Sequence, residues 1–155
     1  MSGFGNTIVA VLALALVFTM VSQQALHAQA ADNPQSINAL LATADVAVGE
    51  KVSHKCTMCH TFNKGESDRI GPNLWNTIGN ARAHSGSFNY SDELKNMHNE
   101  KWTYDALNLY ITNPHKFAPG DKMSFPGIAD QKERADLIAW MRTLSDNPVL
   151  LPAAK

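Results

Sequence analysis

Cys56-Thr57-Met58-Cys59-His60 constrains this chain more than any other feature. The two cysteines in it are the only ones among 155 residues, so they cannot form the disulfide framework of a small secreted domain, which needs more cysteines, more widely spaced. One helical turn separates the thiols, so both reach the same side of a planar partner while the next residue presents an imidazole. A dithiol redox site shares C-x-x-C but belongs in a βαβ setting, which the chain lacks. A zinc site needs about four ligands at metal spacing, and His54, His84, His98 and His115 show no such pattern. C-x-x-C-H reads instead as a covalent haem attachment site, with Cys56 and Cys59 adding to the vinyl groups and His60 directed at the iron.

The rest of the chain suits a group that supplies an apolar centre. Nothing reads as a strand, and long loops inside a small domain need something to wrap around. Asp45 is a plausible N-cap for a helix running through Val48 and Val52 towards Cys56. Asn63 to Ser87 is rich in glycine, asparagine and serine and reads as loops, with a short helix after Pro72. Ser91 caps a helix with Asp92 and Glu93 in its first turn. Trp102 to Thr112 carries Leu107, Tyr110 and Ile111 at helical spacing and stops at Asn113-Pro114. Gln131 to Ser145 puts Leu137, Met141 and Leu144 on one face.

A second axial ligand is expected from Pro119-Gly120-Asp121-Lys122-Met123-Ser124-Phe125-Pro126-Gly127. Met123 sits among prolines and glycines, so a loop holds it rather than a helix face. Met141 and Met97 read as core filler. A His60/Met123 pair fills both axial positions and raises the reduction potential, the coordination of a carrier and not of an enzyme. The rival, a haem peroxidase or gas-binding cytochrome, needs an open or labile sixth position.

At the amino end, Ile8 to Val21 is an apolar run broken only by Thr19. As a helix at about 1.5 Å per residue it spans roughly 21 Å, short of a ~30 Å hydrocarbon core. Ala28-Gln29-Ala30 supplies a cleavage pattern, yet Met1 to Thr7 lacks the basic residue a signal peptide normally carries. Two readings stand: residues 1–30 as a cleaved signal peptide, or an uncleaved membrane anchor over residues 4–21. Either places the remainder on the periplasmic side of the inner membrane, soluble if cut after Ala30. Residues 31–44 read as leader or linker, in which Ile37, Leu40 and Leu41 could form one turn, 45–148 as the domain, and 149–155 as a tail. With 13 Lys+Arg against 14 Asp+Glu, no nucleic-acid partner is expected, nor any small-molecule substrate.

From about Val48 to Leu144 the chain resembles a class I cytochrome c of the mitochondrial monohaem type. Gly71-Pro72-Asn73-Leu74, the Trp102–Tyr110 spacing, the Met123 loop and Arg134 to Trp140 carry the likeness. The stretch Thr143 to Pro148 resembles membrane-tethered bacterial respiratory cytochromes c. The resemblance implies an all-α fold wrapped around one covalent haem c. It also implies electron transport between quinol–cytochrome c reductase and a terminal oxidase, either as a shuttle or as a permanently docked subunit.

For single residues, the resemblance implies that the Pro72 carbonyl accepts from His60 and that Tyr110 sits by the Met123 sulfur. Trp102 and Tyr90 would donate to haem propionates, and Phe125 would pack at the haem edge. Gly49, Val52 and Trp140 would form the crossing of the first and last helices. Departures from the pattern are Asn80, where an arginine is usual and for which Arg82, two residues on, is the candidate replacement, and Asp121, where a threonine is common and from which a solvent-facing carboxylate is expected. Lys55, Lys64, Lys116 and Lys122 are candidates for partner docking, while His115 stands where a lysine is common.

Overall fold

The computed structural model describes residues 36–152; residues 1–30, read from sequence as signal peptide or anchor, lie outside them. Six helices follow among the described residues: α1 Ile37–Leu41, α2 Val46–Ser53, α3 Asp92–Asn96, α4 Tyr104–Thr112, α5 Pro114–Phe117 and α6 Gln131–Thr143. The only ladder pairing there is an isolated antiparallel bridge between Ala81 and Lys101. No described helix is long and apolar enough to cross a membrane.

Short side-chain oxygens start these helices by accepting N–H groups that the first turn cannot use. Asp45 accepts from Ala47 and Val48, Ser91 from Leu94, Thr103 from Ala106, and Asp130 from Glu133. Thr103 thus starts α4 later than the apolar spacing suggests and leaves Trp102 in the preceding extended segment. Asn113 ends α4 as expected, but its side chain also accepts from Lys116 N–H and starts α5, with Pro114 in the first turn.

α2 and α6 make the closest helix crossing. A Cβ on Gly49 would lie 2.0 Å from the Asp136 carbonyl oxygen and 2.8 Å from Trp140 Cβ, so only glycine allows this approach. Val52 is buried in the crossing, and Trp140 meets Phe62 edge-on at 5.1 Å. Asp136 is nearly fully buried; it accepts the Asp45 N–H at 2.7 Å and pairs with Lys132. The cap of α2 is thereby tied to α6.

α1 lies in the stretch read from sequence as leader, yet Ile37 and Leu41 are each only 2% exposed, and the helix packs on α6 and α4. A single turn has too few residues to show periodicity, so its burial is a tertiary fact. The short helix expected after Pro72 does not form. The N–H groups that would build it go elsewhere: Asn73 to Asp68 Oδ1, Leu74 to the Thr61 carbonyl, and Trp75 to Asn73 Oδ1. Asn76 then takes a left-handed φ of 57°, which stops any helix. After α6 the chain is held at Val149, whose carbonyl accepts from Tyr104 Oη at 2.8 Å and Arg142 Nε at 2.6 Å.

Candidate haem site

The C-x-x-C-H segment is a tight turn running on from α2. Cys56 N–H donates to the Ser53 carbonyl, and both Cys59 and His60 N–H donate to the Cys56 carbonyl, at 3.1 and 2.9 Å. Both cysteines are half-buried and free. Burial pushes the Cys56 thiol up to about 11, with Cys59 adding to the rise and Lys55 opposing it. A dithiol oxidoreductase needs a lowered thiol, so this environment disfavours that rival. Among the described residues, no group of three or more His, Cys, Asp or Glu gathers as a metal cluster.

His60 is fixed from two sides. Its Nδ1 lies 2.7 Å from the Pro72 carbonyl oxygen; a carbonyl can only accept, so Nδ1 carries the proton and Nε2 keeps its lone pair for a ligand. Burial lowers the ring's proton affinity, and the Pro72 contact only partly offsets this. Gly71 lies against the ring: a Cβ there would be 2.4 Å from Cε1 and 2.7 Å from Nδ1. Gly71 N–H in turn donates to the Cys59 carbonyl at 2.8 Å. The Gly-Pro pair therefore acts on His60 through both absent bulk and a carbonyl.

On the loop between α5 and α6, Met123 is half-buried beside the core, and Tyr110 Oη lies 3.9 Å from its sulfur. The same hydroxyl donates to Asp121 Oδ2 at 2.5 Å. Asp121 is 9% exposed, so the expectation that it faces solvent is wrong. The structure turns it inward because Tyr110 supplies a buried donor. Burial and the Asp121 bond both hold the Tyr110 hydroxyl far above its ordinary value. Phe125, two residues on, is half-buried against the core, its N–H bonded to the Met123 carbonyl.

Trp102 and Tyr90 are both buried; Tyr90 Oη accepts a long bond from Ser85 N–H, 3.4 Å. Arg82, not Asn80, brings a cation to this wall. Its guanidinium lies 5.3 Å from the centre of the Trp102 ring and 4.9 Å from that of Phe117, while Nη1 reaches Glu100 at 2.8 Å and Met97 Sδ at 3.1 Å. Its Nε is buried and has no protein partner. An unanswered N–H on a buried cation is costly, and a haem carboxylate is the acceptor such a group fits. Thiols on one turn, a histidine with an open Nε2 and a methionine held on a loop beside the core fit covalent haem. His60 and Met123 would hold the iron, Cys56 and Cys59 the ring.

The position of Arg82 follows from the Ala81–Lys101 bridge, in which Arg82 N–H donates to Glu100 and Trp102 N–H to Asn80. That pairing joins segments distant in sequence, so no local pattern announces it. Of the lysines considered for docking, Lys55 pairs with Glu133, Lys64 with Asp146, and Lys122 donates to the Asn89 and Tyr90 carbonyls. Lys116 is exposed. Met58 and Ile70 are 77% and 78% exposed.

An all-α domain that carries a C-x-x-C-H turn, a held histidine and a looped methionine is that of a c-type haem carrier. The chain belongs to the cytochrome c family, whose sequence model, described as Cytochrome c, matches residues 46–145. A cytochrome c homolog of Bradyrhizobium diazoefficiens is 45% identical over 128 residues, covering 82% of this chain and 68% of that one. Cytochrome c of Gossypium barbadense is 39% identical over 99 residues, 63% of this chain and 88% of that one. The solved structure of cytochrome cH from Methylobacterium extorquens is similar at a TM-score of 0.60 and 36% identity, covering 64% of this chain and 99% of that one. As a member of this family the protein binds haem c covalently and carries electrons rather than catalysing a reaction.

Proposed function

We propose that this protein carries single electrons between a quinol–cytochrome c reductase and a terminal oxidase, on the periplasmic side of the membrane, with His60 and Met123 as axial ligands. The observation that carries the reading is the His60 ring, held by Pro72 and Gly71 with Nε2 left available, together with a methionine that Tyr110 packs against. Bound haem supplies a one-electron iron couple; the chain's own residues orient it and keep water away. His60 needs no reorientation to act as a ligand, because the Pro72 carbonyl and the absence of a side chain on Gly71 fix the ring. Tyr110, Trp102 and Phe117 form a connected aromatic wall, with ring centres 5.0 to 6.0 Å apart, and the unpartnered Arg82 Nε beside it would be free to hold a propionate.

The test uses native protein from separated membrane and soluble fractions, first weighed intact, then added to washed membranes with quinol. Quinol-dependent reduction followed by oxidase-dependent reoxidation is expected, from a chain carrying the mass of one haem. A mass of residues 31–155 plus haem would mean a released carrier, and the full chain in membranes a tethered one. Failure of either electron-transfer half-reaction would overturn the assigned place in the chain. Retention on one complex in high salt would make the protein a docked subunit instead of a shuttle.

A further inference from the structure

A hydroxyl has one hydrogen to donate, and Tyr110 has two acceptors in reach. Asp121 Oδ2 is at 2.5 Å and Met123 Sδ at 3.9 Å. A carboxylate at the shorter distance is much the stronger acceptor, so the hydrogen goes to Asp121. The arrangement is braced: Asp121 N–H donates to the carbonyl of fully buried Ala118 at 2.9 Å. Lys122, the neighbouring cation, turns away to the Asn89 and Tyr90 carbonyls. Among the described residues no cation pairs with Asp121.

We propose that Asp121 is a positioning residue for the axial methionine: by capturing the Tyr110 hydroxyl it leaves the Met123 thioether without a hydrogen bond and sets the reduction potential low. The inference rests on Met123 being the iron ligand. A hydrogen bond to sulfur withdraws electron density from the ligand and favours the reduced iron, so removing it favours the oxidised form. Hydrogen bonding to ligands and nearby charge are both recognised levers on haem potential. Asp121 reaches the iron ligand through Tyr110, and that route separates this role from a plain charge effect.

The experiment measures reduction potential and the sulfur-to-iron charge-transfer band of the haem-loaded protein and of Asp121→Ala, Asp121→Asn, Tyr110→Phe and the Tyr110→Phe/Asp121→Ala double variant. Asp121→Ala should raise the reduced-to-oxidised ratio at fixed ambient potential about tenfold, equivalent to ~59 mV for one electron. Asp121→Asn, whose amide oxygen still accepts from Tyr110, should give less than half that shift and keeps the test alive if the alanine variant folds poorly. In the Tyr110→Phe background the Asp121→Ala shift should largely vanish. An equal shift in both backgrounds, or none in either, overturns the proposal. A parent protein with haem but no sulfur-to-iron band overturns the Met123 ligation beneath it, a separate outcome.

Discussion

Gly71→Ala isolates the contact that holds His60. The glycine does not have a left-handed φ, so an alanine is allowed by its backbone and the penalty is purely one of space. The new Cβ would sit 2.4 Å from His60 Cε1, 2.7 Å from Nδ1 and 2.8 Å from Nε2, where ordinary contact begins near 3.4 Å. The ring or the backbone must therefore move by about 1 Å. Neither is loose: the ring is bonded to the Pro72 carbonyl and Gly71 N–H to the Cys59 carbonyl. Overpacking of this kind costs about 1–3 kcal/mol, and loss of the His60–Pro72 bond about 1 kcal/mol more. An overall loss of about 2–4 kcal/mol is expected, read from denaturant unfolding of the haem-loaded protein at unchanged m-value. Gly86→Ala is the control, since nothing lies within 4 Å of its added Cβ; it should be neutral or slightly stabilising, by up to ~1 kcal/mol. If Gly71→Ala falls within about 0.5 kcal/mol of that control, the claim that Gly71 fixes the ring is refuted.

Gly49→Ala should cost about 3 kcal/mol despite alanine's helix preference of ~1 kcal/mol, because its Cβ meets the Asp136 backbone; urea unfolding with a loss under ~1 kcal/mol would show that α2 and α6 can part cheaply. Ile37→Ala should cost about 2–4 kcal/mol by the same measurement, and a neutral result would return α1 to the status of a leader. Asp68 gives a pH prediction. Burial alone would raise its carboxyl, but hydrogen bonds from Ser87, Asn73 N–H and Ser85, with His84 near, outweigh that and hold it below its ordinary value. A depressed carboxyl contributes stability that is complete above the unfolded value of about 3.9 and is lost as pH falls through the folded one. Asp68→Asn should therefore be less stable at neutral pH and show a flatter acid limb in a stability-versus-pH series; parallel limbs would refute the assignment.

Local order in the chain announced the haem-attachment motif and helices α2, α3, α4 and α6, but not α1 or α5, and it suggested a helix after Pro72 that does not form. C-x-x-C-H carries its own geometry within one turn, and Asp45, Ser91 and the Asn113-Pro114 pair act on N–H groups two or three residues away. Met123 stood out as a candidate ligand because a proline and a glycine lie within four residues on each side of it. Three features needed the folded chain: α1 as part of the core, Arg82 as the cation over Trp102, and Asp121 turned inward. Each depends on a partner in another element: α6 and α4 for Ile37 and Leu41, the Ala81–Lys101 bridge for Arg82, and Tyr110 on α4 for Asp121. A surface carboxylate and a buried one have the same neighbours in sequence; which it becomes is decided by whether tertiary packing offers a donor that repays its desolvation.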